Sequence, residues 1–83
     1  MKIFVDVKTP GNDKTYEFQL DSVMTIGQIK AKMIDEITEI ENGNITLNPA
    51  KVILSNLNTR MVLLDSDTLV AAGVKSGQTL LLL

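Results

Sequence analysis

The sequence predicts an α+β roll, in which a mixed five-stranded sheet carries one helix across one face. Three observations lead there. Two stretches of period-two alternation open the chain on either side of a cluster of turn residues. One stretch of helical period follows. Two further short apolar runs and a closing run of four leucines complete the sheet.

In the first stretch Ile3, Val5 and Val7 alternate with Lys2, Asp6 and Lys8, so one face of the strand is apolar; Phe4 interrupts the alternation. Pro10, Gly11, Asn12 and Asp13 form a turn, after which Tyr16, Phe18 and Leu20 alternate with Glu17, Gln19 and Asp21. This pattern predicts a hairpin whose strands turn their apolar sides to one core. From Ile26 the period changes. Ile26, Ile29, Met33, Ile37 and Ile40 recur at spacings of three and four, with Ile34 widening the stripe, as on an amphipathic helix. Thr25 and Gln28 have capping-box spacing at its start, and Asn42 and Gly43 tolerate the left-handed conformation of a helix stop. About 17 residues of helix would run some 25 Å, enough to cross the sheet.

Residues 44–49 are polar around isolated Ile45 and Leu47 and read as a connection with at most a short turn. Residues 52–54 form a short strand, 56–59 a polar turn, and 61–64 another strand. Ser66 or Asp67 caps a single helical turn through Thr68 and Leu69 that stops at Ala72 and Gly73, and Lys75, Ser76 and Gly77 make the last turn. The leucines of 80–83 are apolar on both faces, which places their strand inside the sheet. The expected core is Ile3, Val5, Phe18, Leu20, Ile26, Ile29, Met33, Val52, Leu69, Leu80 and Leu82.

Composition narrows the function. The 83 residues suffice for one domain, residues 1–83. The absence of cysteine and histidine removes disulfides, thiolate nucleophiles, the usual general base and the commonest metal ligands, so neither an enzyme nor a cofactor is expected. Ten acidic against eight basic residues, with no basic run, argue against nucleic acid and point to protein partners. No apolar stretch is long enough to span a bilayer and strand-like residues follow Met1 at once, so neither membrane insertion nor a leader is expected and the location reads as cytoplasmic. On that reading, the glycosylation pattern of Asn44, Ile45 and Thr46 meets no enzyme.

The residues also resemble ubiquitin. Met1, Ile3, Phe4 and Val5 match its opening strand, residues 14–35 follow without a gap, and Thr25, Ile26, Ile29, Lys30, Ala31, Lys32 and Asp35 match its helix closely. Thr68-Leu69 and Thr79-Leu80 fall where that family has them, with an insertion between the helix and Val52. The resemblance implies the ubiquitin-like β-grasp roll, a fold shared by modifiers, sulfur carriers, ferredoxins and adaptors. Ferredoxin function needs four cysteines. Modifiers and sulfur carriers act through a mobile Gly-Gly tail, whereas this sequence reads as ending within its last strand at Leu83, which disfavours C-terminal activation. The ending from Gly73 to Leu83 resembles the YukD-type bacterial ubiquitin-like proteins, accessory components of type VII secretion systems, and this implies an adaptor.

Three sets of side chains are candidates for a role. Lys30 lies beside the apolar stripe and, in the ubiquitin alignment, opposite Asp65; an ion pair tying helix to loop explains it better than imine chemistry does. Asp35, Glu36, Glu39 and Glu41 crowd the helix end without the spacing of a calcium loop and read as a solvated face. The third set is outward on the sheet. If Ile3, Val5, Leu80 and Leu82 face the helix, Phe4, Leu81 and Leu83 face away, and the ubiquitin match sends Ile53 with them. Phe4, Ile53, Leu81 and Leu83 are therefore expected as neighbours in an apolar patch that binds a protein partner, with a homodimer mate as the alternative cover.

Overall fold

A computed structural model of the chain describes residues 1–44 and 47–83. Ile45 and Thr46, and with them the glycosylation pattern and part of the expected 44–49 connection, lie outside the described residues. Strands β1 (Lys2–Thr9) and β2 (Lys14–Asp21) form the predicted hairpin, helix α1 spans Ile26–Ile40, and β3 (Leu54–Asn56), β4 (Met61–Val62) and β5 (Thr79–Leu82) complete the sheet. The spatial order is β2-β1-β5-β3-β4, with β5 parallel to β1 and antiparallel to β3. The run of leucines is thus central, as its two apolar faces require.

Helix α1 begins as its sequence predicts. The Thr25 hydroxyl accepts the Gln28 amide at 3.2 Å, and Gln28 Oε1 accepts the Thr25 amide at 3.0 Å. The helix stops in a Schellman motif. Gly43 N–H donates to Thr38 at 2.9 Å and Asn42 N–H to Glu39 at 3.1 Å, with Asn42 and Gly43 both left-handed (φ 54° and 76°). All eleven residues of the expected core are buried, and Val7, Tyr16, Ile34, Ile37, Leu54, Leu63 and Val74 join them. Ile40 departs from the pattern. It ends the apolar stripe, yet the helix runs past the edge of the core there and leaves the side chain exposed.

Other departures lie in the second half. The third strand is Leu54–Asn56, two residues later than the expected 52–54, because Asn56 belongs to the ladder rather than to the turn. Its fully buried amide explains this. Asn56 Nδ2 donates to Gln78 Oε1 at 2.9 Å, while its Oδ1 accepts the Asn58 N–H at 2.9 Å; Asn58 Oδ1 in turn accepts the Thr79 N–H at 2.8 Å. A polar residue is tolerated inside the sheet because its groups are satisfied. The fourth strand is confined to Met61–Val62, although Leu63 N–H still reaches Leu54 at 2.8 Å. The segment before β5 makes the expected single turn, with Ala72 N–H donating to the Thr68 carbonyl at 2.9 Å and the stop at left-handed Gly73 (φ 76°), but its cap is Thr68 rather than Ser66 or Asp67: the Thr68 hydroxyl accepts the Ala71 N–H at 3.1 Å.

Candidate functional site

The sheet has two unlike faces. Helix α1 covers the inner one. On the outer face, among the described residues, no second layer lies over β5, β3 and β4. Pleat alternation and register decide what is displayed there. Leu54, Asn56, Leu80 and Leu82 point inward and are buried, so Leu81, Leu83, Ile53 and Ser55 point outward. Ile53 and Leu83 exchange backbone hydrogen bonds of 2.8 and 2.9 Å, which holds their side chains side by side, and Leu81 is paired with Ser55. Leu81 is half-buried between its neighbours, whereas Ile53 and Leu83 are each more than half exposed.

Register extends this patch in a direction the sequence reading missed. Ser55 pairs with Val62, and Leu63, whose N–H meets Leu54, is buried; Val62 and Leu64 are therefore outward on β4 and its continuation. Both are more than half exposed. Alternation and a second hairpin were visible in the residue string, but the register that sets Val62 opposite Ser55 was not. The same register corrects the placement of Phe4. Lys8, not Phe4, is the β1 neighbour of Leu81, and Phe4 lies at the other end of β1, where its carbonyl accepts the Gly77 N–H at 2.8 Å and its N–H donates to Ser76 Oγ at 3.0 Å. Four residues of strand put Phe4 about 13 Å from the row of Leu81. The contiguous apolar patch is therefore Leu81, Leu83, Ile53, Val62 and Leu64, bordered by Lys8, while Phe4 is exposed by itself on the same face.

The remaining candidates resolve into structural contacts. Lys30 is buried and its Nζ lies 2.8 Å from Asp65 Oδ1. Asp65 also offers its carbonyl to Gly27 N–H at 3.1 Å, so this loop is tied to the first turn of α1 by both bonds. Glu41 leaves the solvated acidic face expected of it. It accepts from Lys14 Nζ at 2.5 and 2.8 Å and from the Tyr16 hydroxyl at 2.8 Å. The bond from Lys14, then that from Tyr16, holds the Glu41 carboxyl below its ordinary range, and the same bond to Glu41 raises Lys14. Asn12 Nδ2 donates to the Tyr16 hydroxyl at 3.0 Å and Thr9 donates to Asn12, so the helix end is clasped to the β1–β2 turn. Among the described residues no group of acidic side chains is placed to hold a metal ion. A recess of about 350 Å³ beside Leu83 is lined by Thr9, Asn12, Ile37, Leu47 and Leu82, and its polar pair is already mutually engaged. No helix of the described residues is long and apolar enough to cross a membrane.

Comparison with solved structures matches this architecture over nearly the whole chain. The N-terminal ubiquitin-like domain of the 4931431F19Rik protein superposes with a TM-score of 0.72 at 26% identity, covering 99% of this chain and 73% of that one. Caldiarchaeum subterraneum ubiquitin gives 0.73 at 19% identity, covering 99% and 91%. The fold is the ubiquitin-like β-grasp. A third ubiquitin-like domain, from Arabidopsis thaliana protein At2g32350, gives 0.73 at 23% identity, covering 99% and 76%. No protein-family model matches the chain, and no curated protein matches it significantly. The ubiquitin-like roll thus stands on architecture, with sequence similarity contributing little.

Proposed function

We propose that this chain is a non-catalytic protein-interaction module of ubiquitin-like fold that binds its partner through the outer sheet face, centred on Ile53, Leu81 and Leu83 and extended by Val62 and Leu64. One observation carries the reading: five apolar side chains stand together on the side of the sheet away from the helix, where the core has no use for them. Burying a Leu or Ile side chain fully is worth about 1.5–3 kcal/mol. A few such contacts, less the cost of association, support a modest and reversible affinity, with Lys8 available at the border for an acidic group. Phe4 belongs to the same surface only for a partner wide enough to reach along β1. The finer reading, resting on the Gly73 to Leu83 ending, is an adaptor of a bacterial type VII secretion machine.

The test is a double substitution, Ile53→Ser with Leu81→Ser. The unfolding midpoint should stay nearly unchanged while binding to the native partner weakens tenfold or more, about 1.4 kcal/mol. Unfolding of the variant would mean that the face is core. Retention of the same partners in a pull-down would move recognition elsewhere. A covalent adduct through the C-terminus, formed with ATP and an activating enzyme, would replace the adaptor by a modifier or sulfur carrier. Co-purification with a secretion ATPase tests the adaptor reading separately.

A further inference from the structure

Strand β2 is an edge of the sheet, eight residues long, and the backbone groups of three of those residues have no partner among the described residues. Ser22 N–H donates to Met1 at 2.8 Å, and the antiparallel register from Lys2↔Asp21 to Thr9↔Lys14 then turns the backbone groups of residues 14, 16, 18 and 20 toward β1. Those of Thr15, Glu17 and Gln19 point away from the sheet. Among the described residues none of the three has a backbone partner outside the hairpin. A long edge of this kind is a template for another strand unless something blunts it.

A groove runs beside this edge, between β2 and α1, with a volume of about 600 Å³. Tyr16 and Phe18 form its floor, Ile40 its far wall, and Glu17, Glu36 and Glu39 its rim. Ile40 is the one member of the helix stripe that the core leaves uncovered, at 58% exposed. None of the three rim carboxylates has an ion-pair partner among the described residues, and Lys14, the only base on β2, is committed to Glu41. Unpaired backbone groups, apolar side chains and unpaired negative charge therefore lie along one line.

We propose that the β2 edge takes up an extended basic segment of a partner polypeptide as a sixth strand. Its backbone pairs with Thr15, Glu17 and Gln19, and alternate side chains enter the groove against Phe18 and Ile40. Lysines or arginines on the other residues meet Glu17 on the outer side, and those flanking the segment meet Glu36 and Glu39. Pairing across Thr15 to Gln19 needs a segment of about five or six residues at 3.3 Å per residue. The surface is separate from the outer face of β5, β3 and β4, so a protein could engage both.

The probes are an acetylated, amidated Lys-Val-Lys-Val-Lys-Val peptide and its counterpart with Glu in place of Lys, titrated into the isotopically labelled protein while amide shifts are followed. The basic peptide should move the amides of Thr15, Glu17 and Gln19 and of residues 36–40, and the acidic one should bind at least tenfold more weakly. Glu36→Lys with Glu39→Lys should weaken the basic peptide tenfold or more. Glu17→Pro deletes an outward N–H without touching the pairing to β1 and should abolish binding with the folded spectrum intact. If that proline unfolds the domain, the charge-reversal pair decides alone. Absence of shifts at millimolar peptide, equal binding of the two peptides, or shifts that map instead to Ile53, Leu81 and Leu83 would each overturn the proposal.

Discussion

Leu80 is fully buried on the central strand, paired with Val7 on one side and Asn56 on the other, so it tests the register of the whole sheet. Leu80→Ala removes three carbons from this position. At about 0.8 kcal/mol for each buried methylene, the transfer term comes to about 2.4 kcal/mol. A Leu-to-Ala cavity of roughly 80 Å³ that does not collapse adds up to about 2 kcal/mol at 24 cal/mol per Å³. β5 has pairing partners on both sides, which limits collapse, so the expected loss is about 3–4 kcal/mol. A domain of this size has about 4–12 kcal/mol in total. Urea unfolding followed by far-ultraviolet circular dichroism reads the effect; with a slope near 1–1.5 kcal/mol per molar, the midpoint should fall by roughly 2–4 M. Leu81→Ala, one residue on and half-buried on the other face, should cost much less. A loss at Leu80 below about 0.5 kcal/mol would refute the facing of β5, since a slip of one residue exchanges the two faces.

Asn56→Ala should cost about 1–3 kcal/mol, because the amide that joins β3 to Gln78 and Asn58 disappears inside the sheet; unchanged amide exchange at Asn58 and Thr79 would count against the network. Asp65→Asn should destabilise more than Lys30→Met in thermal melts, since the first leaves the buried ammonium without its anion and the second removes the charge; the reverse order would mean that the pair does not hold the loop. The Glu41 clasp gives a pH dependence with a definite sign. Its carboxyl is depressed in the folded state, so its contribution is present above the ordinary carboxylate range and is lost as pH falls through the lower folded value. Lys14 is raised, so its contribution is present below the ordinary lysine range and fades as pH climbs through the higher folded value. Glu41→Gln should therefore flatten both limbs of a stability profile measured from about pH 3 to pH 11, and a profile that keeps the wild-type slopes would show the clasp to be inert.

Local chemistry was legible along the residue string wherever one element could be read without its neighbours. The β1–β2 hairpin, the Thr25–Gln28 capping box, the helix stop at Asn42 and Gly43 and the Lys30–Asp65 pair all appear where residue types and spacing, or the ubiquitin-like alignment, place them. Asn56 shows where that reading stops. Asparagine is rare in strands and common in turns, so the residue string favours a turn, and only the approach of Gln78 and Asn58 makes the strand position affordable. Glu41 was misplaced for the same reason. Its partners, Lys14 and Tyr16, are more than twenty residues away and reach it only after the hairpin folds against the helix end.

For the candidate face, alternation alone put Leu81 and Leu83 on the side opposite Leu80 and Leu82, because it is a property of one strand. Which residues of other strands stand beside them depended on pairing register and strand direction, which no single segment specifies. The parallel β1–β5 ladder set Lys8 rather than Phe4 next to Leu81, and the antiparallel β3–β4 ladder brought Val62 and Leu64 up to Ile53. The β2–α1 groove is likewise a tertiary product. Glu17 and Glu39 are unremarkable apart, and they share a rim only because α1 crosses the sheet far enough to set Ile40 beyond the core and beside an edge strand.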